Sequence, residues 1–271
     1  MEMQDGKRQG EEETTALNGA YESFAMVYDT FMDNVPYEKW ANEYEQILSQ
    51  YGIRDGLILD LGCGTGNMTL QFQKKGFDMI GVDLSLDMLE IAREKSMGTN
   101  ILYLQQDMCE FELYGTVRAV ICVCDSLNYI LEPDQLSQIF SLVDNYLDPG
   151  GIFLFDFNTD YKYRELIGDR VIAEDREDMS FIWDNYYDEE TRRNEYALSI
   201  FLREKGNLFR KYEELHTQRG YSLKEMKEAL FSAGLEFLFA RDGEEGGPVL
   251  EESGRILVAA REQKKGKGDL R

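Results

Sequence analysis

The sequence feature that most constrains the fold is a glycine-rich turn between a short apolar run and an amphipathic stretch. The run Leu57 to Leu61 has the length and composition of a buried strand, and Met68 to Lys75 has the apolar spacing of a helix. Gly62, Gly64 and Gly66 stand between the two. A strand that turns into a helix through glycines is the building unit of open α/β sheets, which bind ligands at such turns.

The rest of the chain repeats this alternation. Apolar runs predict strands at residues 57–61, 77–82, 101–104, 117–123 and 152–155. After Asn158 the pattern changes, and three stretches predict antiparallel strands at residues 180–187, 194–203 and 208–221. A helix with a capping box at Ser222 and two closing strands follow. The order predicts an α/β fold: a doubly wound, mostly parallel sheet with an antiparallel β insertion after strand five.

Length and composition indicate a single folded domain. The chain has 271 residues, of which 43% are hydrophobic, so it can bury a full core. We predict one domain at residues 20–261, with the insertion at about 178–221 as a lid, between disordered tails at residues 1–19 and 262–271. The four cysteines form no CxxC pair and the chain has one histidine, which favours a reducing, cytoplasmic compartment without a metal or disulfide framework.

The charge of the chain limits its partners. Lys and Arg number 29 against 52 Asp and Glu, a formal net charge of −23. Nucleic-acid affinity rests largely on basic residues that meet phosphates, so no nucleic-acid partner is expected. No apolar run approaches the length of a membrane span, so no membrane partner is expected either. The oligomeric state stays open, a dimer included.

The spacing of polar groups around the turn indicates the kind of ligand. A dinucleotide fingerprint needs a glycine where Asn67 stands, and the acid Asp60 before the turn suits an ammonium group better than a pyrophosphate. Asp83 ends the second strand, where a carboxylate can accept hydrogen bonds from a ribose diol. Asp107 and Met108 follow the third strand, where a carboxylate and a nearby backbone N–H can meet an adenine edge.

Two further motifs complete a family pattern. Cys124-Asp125-Ser126-Leu127 follows strand four, and Leu147-Asp148-Pro149-Gly150-Gly151 precedes strand five. In this order and spacing, the five signals resemble the class I, Rossmann-like methyltransferases with a seven-stranded sheet that depend on S-adenosylmethionine (SAM). The similarity runs from about Tyr21 to Asn158 and resumes in the last helix and strands.

The resemblance implies SAM as the cofactor, S-adenosylhomocysteine as the product, and no metal. It implies that Asp60 and the glycine turn hold the methionine part, Asp83 the ribose, and Asp107 with Met108 the adenine. Met88 or Leu84 would pack on the adenine ring. The residues implied for the cofactor site are Tyr21, Tyr28, Asp60, Gly62, Cys63, Gly64, Asp83, Leu84, Met88, Asp107, Met108 and Cys124.

The pattern Tyr21-x-x-Phe24-Ala25-x-x-Tyr28-Asp29 resembles the lid helix of small-molecule members, such as glycine and amino-sugar N-methyltransferases. In those enzymes a tyrosine closes over the sulfonium, which implies that role for Tyr21 or Tyr28. The alternative is an ordinary amphipathic helix whose aromatic residues make core contacts.

The insertion carries the candidate residues for catalysis. Period-two alternation predicts that five residues of its last strand share one face: Arg210, Tyr212, Glu214, His216 and Gln218. His216 is predicted as a general base or as a group that orients the acceptor, and Glu214 and Asp125 are the other catalytic candidates. The alternative is a polar face that points into water.

These observations predict a SAM-dependent methyltransferase (EC 2.1.1.-) whose acceptor is a small molecule, such as an amine, a sugar or an amino-acid derivative. The alternatives are an RNA or protein acceptor, or a protein that binds SAM without turnover. A nicotinamide-dependent dehydrogenase is disfavoured by Asn67. Whether the methyl group goes to N, O or C is not decided by the sequence.

Overall fold

The computed structural model describes residue 25 and residues 27–265 of the chain. Residues 27–31 form a helical segment, which a turn separates from the first full helix. Tyr21, which the resemblance implies for the cofactor site, lies outside the described residues.

Seven strands form the central sheet. The strands of the described chain are β1 (Leu57–Leu61), β2 (Asp78–Asp83), β3 (Leu102–Gln105), β4 (Val117–Cys122), β5 (Leu147–Asn158), β6 (Val171–Asp175), β7 (Met179–Asp188), β8 (Arg193–Lys205), β9 (Leu208–Arg219), β10 (Glu236–Asp242) and β11 (Arg255–Arg261). The central sheet has the order β10-β11-β5-β4-β1-β2-β3. β11 is antiparallel to both neighbours and the other pairs are parallel, which confirms the predicted fold class. The strand order reverses between β1 and β4, where open α/β sheets bind ligands.

Helices cover both faces of this sheet. They are α1 (Tyr37–Gln50), α2 (Asn67–Lys74), α3 (Leu86–Lys95), α4 (Pro133–Tyr146) and α5 (Leu223–Ala233). Successive side chains of β5 enter opposite layers. Phe153 and Phe155 pack with residues of α4 and α5, whereas Leu154 packs with residues of α1 and α2. A strand buried on both faces explains why the central strands are apolar at consecutive positions.

Side-chain caps fix where two of the helices begin. The Ser85 hydroxyl accepts a hydrogen bond from the Met88 N–H at the start of α3. At α5, the Ser222 hydroxyl accepts from the Glu225 N–H and the Glu225 carboxylate accepts from the Ser222 N–H, as the capping box predicts. α5 ends at Gly234, which has a φ of 90°.

The antiparallel insertion has four strands rather than the three predicted. It is a separate sheet in the order β6-β7-β8-β9. The sequence pattern misses β6 because this edge strand is exposed at almost every position, so it has no apolar and polar faces to alternate. The last strand ends at Arg219, two residues before the predicted end.

The helical segment at residues 27–31 packs against the inner face of the insertion. Val27 forms a buried cluster with Leu198 and Ile200 of β8. The rings of Phe31 and Phe181 meet edge to face at a centroid distance of 4.7 Å. The N-terminal segment is therefore held against the insertion sheet.

Residues 262–265 belong to the folded body rather than to the predicted C-terminal tail. The Glu262 carboxylate accepts hydrogen bonds from the backbone N–H groups of Gly150 (2.9 Å) and Lys264 (2.6 Å). Lys265 donates to backbone carbonyls at the end of α4. None of the helices in the described ranges combines the length and hydropathy that crossing a bilayer requires.

Candidate active site

One side of the backbone of the glycine turn is not covered by other described residues. Gly62 has a φ of 75°, and a Cβ there would lie 2.7 Å from the Cβ atom of Ser126, so packing requires glycine. A Cβ on Gly64 would have no described heavy atom within 4 Å. Gly64 therefore borders open space, where a ligand can approach the backbone closely.

Asp83 connects this turn to the start of α3. One carboxylate oxygen accepts the Gly64 N–H at 2.8 Å, and the other accepts the Ser85 N–H at 2.9 Å. Burial raises the pKa of Asp83, although these hydrogen bonds oppose the shift. Each oxygen has more than one lone pair, so both can still accept a hydroxyl of a ribose diol.

Asp60 lies fully buried under the turn. Its Oδ2 atom accepts a hydrogen bond from the Thr69 hydroxyl, and its Oδ1 atom has no hydrogen-bond partner among the described residues. Burial raises the pKa of Asp60 to about 7. A buried carboxylate oxygen without a donor fits the ammonium group that the sequence predicts nearby.

The adenine side of the predicted site lies beyond β2 and β3. Leu84 is 67% exposed, which leaves an apolar surface at the end of β2. Met88 lies half-buried in the first turn of α3. The Asp107 Oδ1 atom accepts the Cys109 N–H at 2.8 Å, and Met108 packs on the core beside Gly62.

The two cysteines of the predicted site have free thiols that burial keeps in the protonated form. Cys63 packs with Leu89, Ala92 and Tyr103, and its thiol donates to the Gly64 carbonyl oxygen at 3.8 Å. Burial raises the pKa of the Cys63 and Cys124 thiols well above their ordinary value.

The end of β4 has a strained backbone. Cys124 and Asp125 have φ angles of 58° and 53°, which side-chain-bearing residues rarely adopt. Their N–H groups donate to the Asp156 carboxylate at 3.3 and 3.1 Å. Asp156 is fully buried, and it also accepts hydrogen bonds from the Tyr44 hydroxyl and the Arg255 guanidinium. Asp156 therefore supports the backbone at the end of β4 from within the sheet.

The strained turn directs Asp125 toward the insertion. The Asp125 Oδ2 atom accepts the Gln218 side-chain amide at 2.7 Å, and the Gln218 Oε1 atom accepts the Tyr163 hydroxyl at 2.9 Å. Burial raises the pKa of Asp125. Burial also raises the pKa of Tyr28, with smaller contributions from Tyr37, Cys124 and Asp125, so Tyr28 lies close to this β4 end.

The predicted face of β9 turns inward at its C-terminal half. Arg210 is exposed and Tyr212 half-buried, whereas Glu214, His216 and Gln218 are buried. The hypothesis that this face points into water is therefore wrong for the part that carries His216.

His216 is the centre of a hydrogen-bond network that joins the buried Glu214 and Tyr196 to the exposed Tyr129. Its Nε2 atom lies 2.9 Å from the Glu214 Oε2 atom, and its Nδ1 atom lies 3.4 Å from the Tyr129 hydroxyl. The Tyr129 hydroxyl lies 2.8 Å from that of Tyr196, whose ring stacks on the imidazole. The Glu214 Oε1 atom is buried without a partner among the described residues. A carboxylate oxygen at this distance can accept from a protonated Nε2 atom, and in that tautomer Nδ1 faces the Tyr129 hydroxyl.

The sequence did not indicate Tyr196 or Tyr163 as members of the site. Tyr196 is opposite His216 in the β8–β9 register. The alternation of β8, which puts Tyr196, Leu198 and Ile200 on one face, is the signal that could have found it. Within residues 27–265, no three His, Cys, Asp or Glu side chains stand close enough together to hold a metal ion.

Comparison with known proteins identifies the family to which the chain belongs. A family model described as a methyltransferase domain matches residues 58–151. A protein of Geobacillus sp. strain WCH70, provisionally named a methyltransferase, is 37% identical over 222 residues, 80% of this chain and 90% of that protein. The crystal structure of an S-adenosylmethionine-dependent methyltransferase from Clostridium acetobutylicum superposes with a TM-score of 0.81 at 29% identity, over 90% of this chain and 99% of that one. The chain belongs to the class I SAM-dependent methyltransferases.

A more distant relative has a defined acceptor. A dTDP-3-amino-3,4,6-trideoxy-α-D-glucopyranose N,N-dimethyltransferase of Streptomyces venezuelae is 25% identical over 238 residues, 86% of this chain and 95% of that protein.

Proposed function

We propose that the chain methylates a small molecule that carries an amine, with SAM as the methyl donor. The observation that carries the proposal is the buried Glu214–His216 pair on the sheet that covers the carboxyl end of β4. An amine loses a proton when it gains a methyl group, so a base beside the cofactor site is useful there. The S. venezuelae relative, whose name specifies an N,N-dimethyltransferase of an amino sugar, supports the same class of acceptor.

The described residues fit the cofactor. The open side of Gly64 admits it, Asp83 would accept the ribose hydroxyls, and the unpartnered Oδ1 atom of Asp60 would receive the ammonium group. Leu84 and Met88 would cover the adenine, with Asp107 and Met108 at its edge. When bound, SAM supplies a methyl group on a sulfonium that needs no further activation, so the chain mainly aligns the acceptor and excludes water.

His216 would remove the proton from the acceptor nitrogen through Tyr129. The nitrogen passes its proton to the Tyr129 oxygen while the Tyr129 hydroxyl proton moves to Nδ1 of His216. Glu214, hydrogen-bonded to Nε2 at 2.9 Å, stabilises the imidazolium that forms. Asp125, tied to Gln218, would hold the acceptor at the end of β4.

The cofactor site is tested by calorimetric titration with S-adenosylhomocysteine. We expect binding by the parent and loss of binding by Asp83→Ala, because the buried carboxylate that meets the ribose is removed. Asp55→Ala is the matched control, since its side chain is 84% exposed and it should bind like the parent. Absence of binding by the parent would contradict the cofactor assignment.

The acceptor class is tested with methyl-labelled SAM and a panel of primary and secondary amines, amino sugars, hydroxylated analogues and RNA. We expect label on amines, and a loss of about 100- to 10,000-fold in kcat for His216→Asn with unchanged binding of S-adenosylhomocysteine. Label on hydroxyl groups or RNA would overturn the acceptor class. Binding without label on any acceptor would favour a protein that binds SAM without turnover.

A further inference from the structure

Asp29, on the N-terminal helical segment, binds directly to the cofactor turn. Its Oδ1 atom accepts hydrogen bonds from the Thr65 hydroxyl (2.6 Å) and the Asn67 side-chain amide (2.8 Å), which flank Gly66. Its Oδ2 atom accepts from the Lys95 ammonium at 2.6 Å. Burial of Asp29 disfavours its ionised form, but the hydrogen bonds from Lys95, Thr65 and Asn67 outweigh burial and lower its pKa.

The same segment is attached on its other side to the insertion. Val27 and Phe31 pack on the inner face of the insertion sheet. Arg176, between β6 and β7, donates to the Thr30 carbonyl oxygen at 2.7 Å and to the Asp33 carboxylate at 2.8 Å. Residues 27–33 therefore connect the cofactor turn to the sheet that carries His216.

Tyr28 lies between these two attachments. It is the chain neighbour of Asp29, it is half-buried, and Cys124 and Asp125 at the end of β4 contribute to the rise of its pKa. A displacement of Asp29 would therefore move Tyr28 and the packing surface of Val27 together. Asp29 is thus one of the contacts that set the position of the insertion relative to the cofactor turn, alongside the Asp125–Gln218 hydrogen bond.

We propose that Asp29 is a positioning residue that transmits cofactor binding from the glycine turn to the insertion. This inference rests on the proposed function, since it needs SAM or its product on the Gly64 side of the turn. A ligand that fixes the turn also fixes Thr65 and Asn67, and through Asp29 it fixes the segment that supports β7 and β8. Asp29 thus makes assembly of the acceptor site depend on an occupied cofactor site.

The test is hydrogen exchange measured by mass spectrometry with and without S-adenosylhomocysteine. In the parent, we expect the ligand to slow exchange in three places: the cofactor turn, residues 27–33, and strands β7 and β8. In Asp29→Ala, we expect slowing only in the turn, and a decrease in kcat/KM for the acceptor of about tenfold or more, because three charge-assisted hydrogen bonds are lost.

Two variants separate this role from general stability. Lys95→Met removes the ammonium contact of Asp29 from the α3 side, and it should also weaken the slowing at β7 and β8. This variant tests the proposal if Asp29→Ala does not fold. Asp33→Ala removes a carboxylate from the same segment, but one that contacts only the insertion. Arg176 keeps its bond to the Thr30 carbonyl oxygen in this variant, so Asp33→Ala should respond like the parent.

The outcomes distinguish the two proposals. Equal slowing at β7 and β8 in the parent, Asp29→Ala and Lys95→Met would overturn the role of Asp29 and leave the cofactor site intact. No slowing in the parent turn would overturn the cofactor site, and the inference about Asp29 with it.

Discussion

Asp60 shows how a single buried group is prepared for a ligand. One of its oxygens accepts a hydrogen bond from Thr69 and the other has no donor among the described residues, so its ionised form is poorly solvated. We expect an ammonium group bound beside this oxygen to offset the cost. Gly64 has no side chain, so it leaves open beside the backbone a space that a Cβ atom would enter.

The raised pKa of Asp60 has a consequence for stability. The pKa of Asp60 is about 7 in the folded chain, above the ordinary value near 4 of the unfolded chain. Between these two values only the unfolded chain loses the proton, so the free energy of unfolding falls as the pH rises from about 4 to about 7. Asp60→Asn should remove this dependence. Relative to the variant, we expect the parent to lose on the order of 2 kcal/mol between pH 5.5 and 8. Urea unfolding at several pH values measures it, and parallel pH profiles would contradict it.

At the scale of elements, the backbone that follows β4 is held in place by a buried carboxylate. Asp156 on β5 and Arg255 on β11 form a buried ion pair, and the carboxylate also holds the two strained residues Cys124 and Asp125. The paired strands put these groups together, because β5 lies between β4 and β11. The direction of the Asp125 side chain is thus set from within the central sheet.

Breaking this pair should be costly. Asp156→Asn leaves the Arg255 guanidinium buried without a counter-charge, and we expect a loss of about 3–5 kcal/mol of unfolding free energy. Arg261→Met is the matched control on the same strand, since its partner Glu236 is about two-fifths exposed and the change should stay below about 1 kcal/mol. Chemical denaturation measures both, and a similar effect of the two variants would show that the buried pair has no special role.

The same elements show what the sequence could predict. The central strands, the capped helices and the shared face of β9 follow from local periodicity, which the chain displays within ten or so residues. The sequence pattern does not predict β6, because an exposed edge strand has no such periodicity. The partners of Asp29 lie 36, 38 and 66 residues away along the chain, and Gln218 lies 93 residues from Asp125. Such contacts depend on how segments distant along the chain pack together, which local spacing does not encode.

At the scale of the whole molecule, charge and architecture act together. The chain carries a formal net charge of −23, and carboxylates of Asp60, Asp83 and Asp125 are concentrated at one edge of the sheet. A field of this sign attracts cations to the site and repels polyanions. It favours a cationic cofactor and an amine acceptor by the same physics that disfavours RNA.

SAM and its product differ by one positive charge, which allows a test of this field. SAM has a sulfonium, an ammonium and a carboxylate, whereas S-adenosylhomocysteine has lost the sulfonium charge. Added salt screens a negative site from a cation, with a Debye length that falls from about 30 Å at 0.01 M to about 8 Å at 0.15 M. We therefore expect the affinity for SAM to decrease more steeply with salt than the affinity for S-adenosylhomocysteine. Calorimetric titrations of both ligands over this range measure the difference, and equal slopes would mean that only local contacts, and not the charge of the molecule, select the donor.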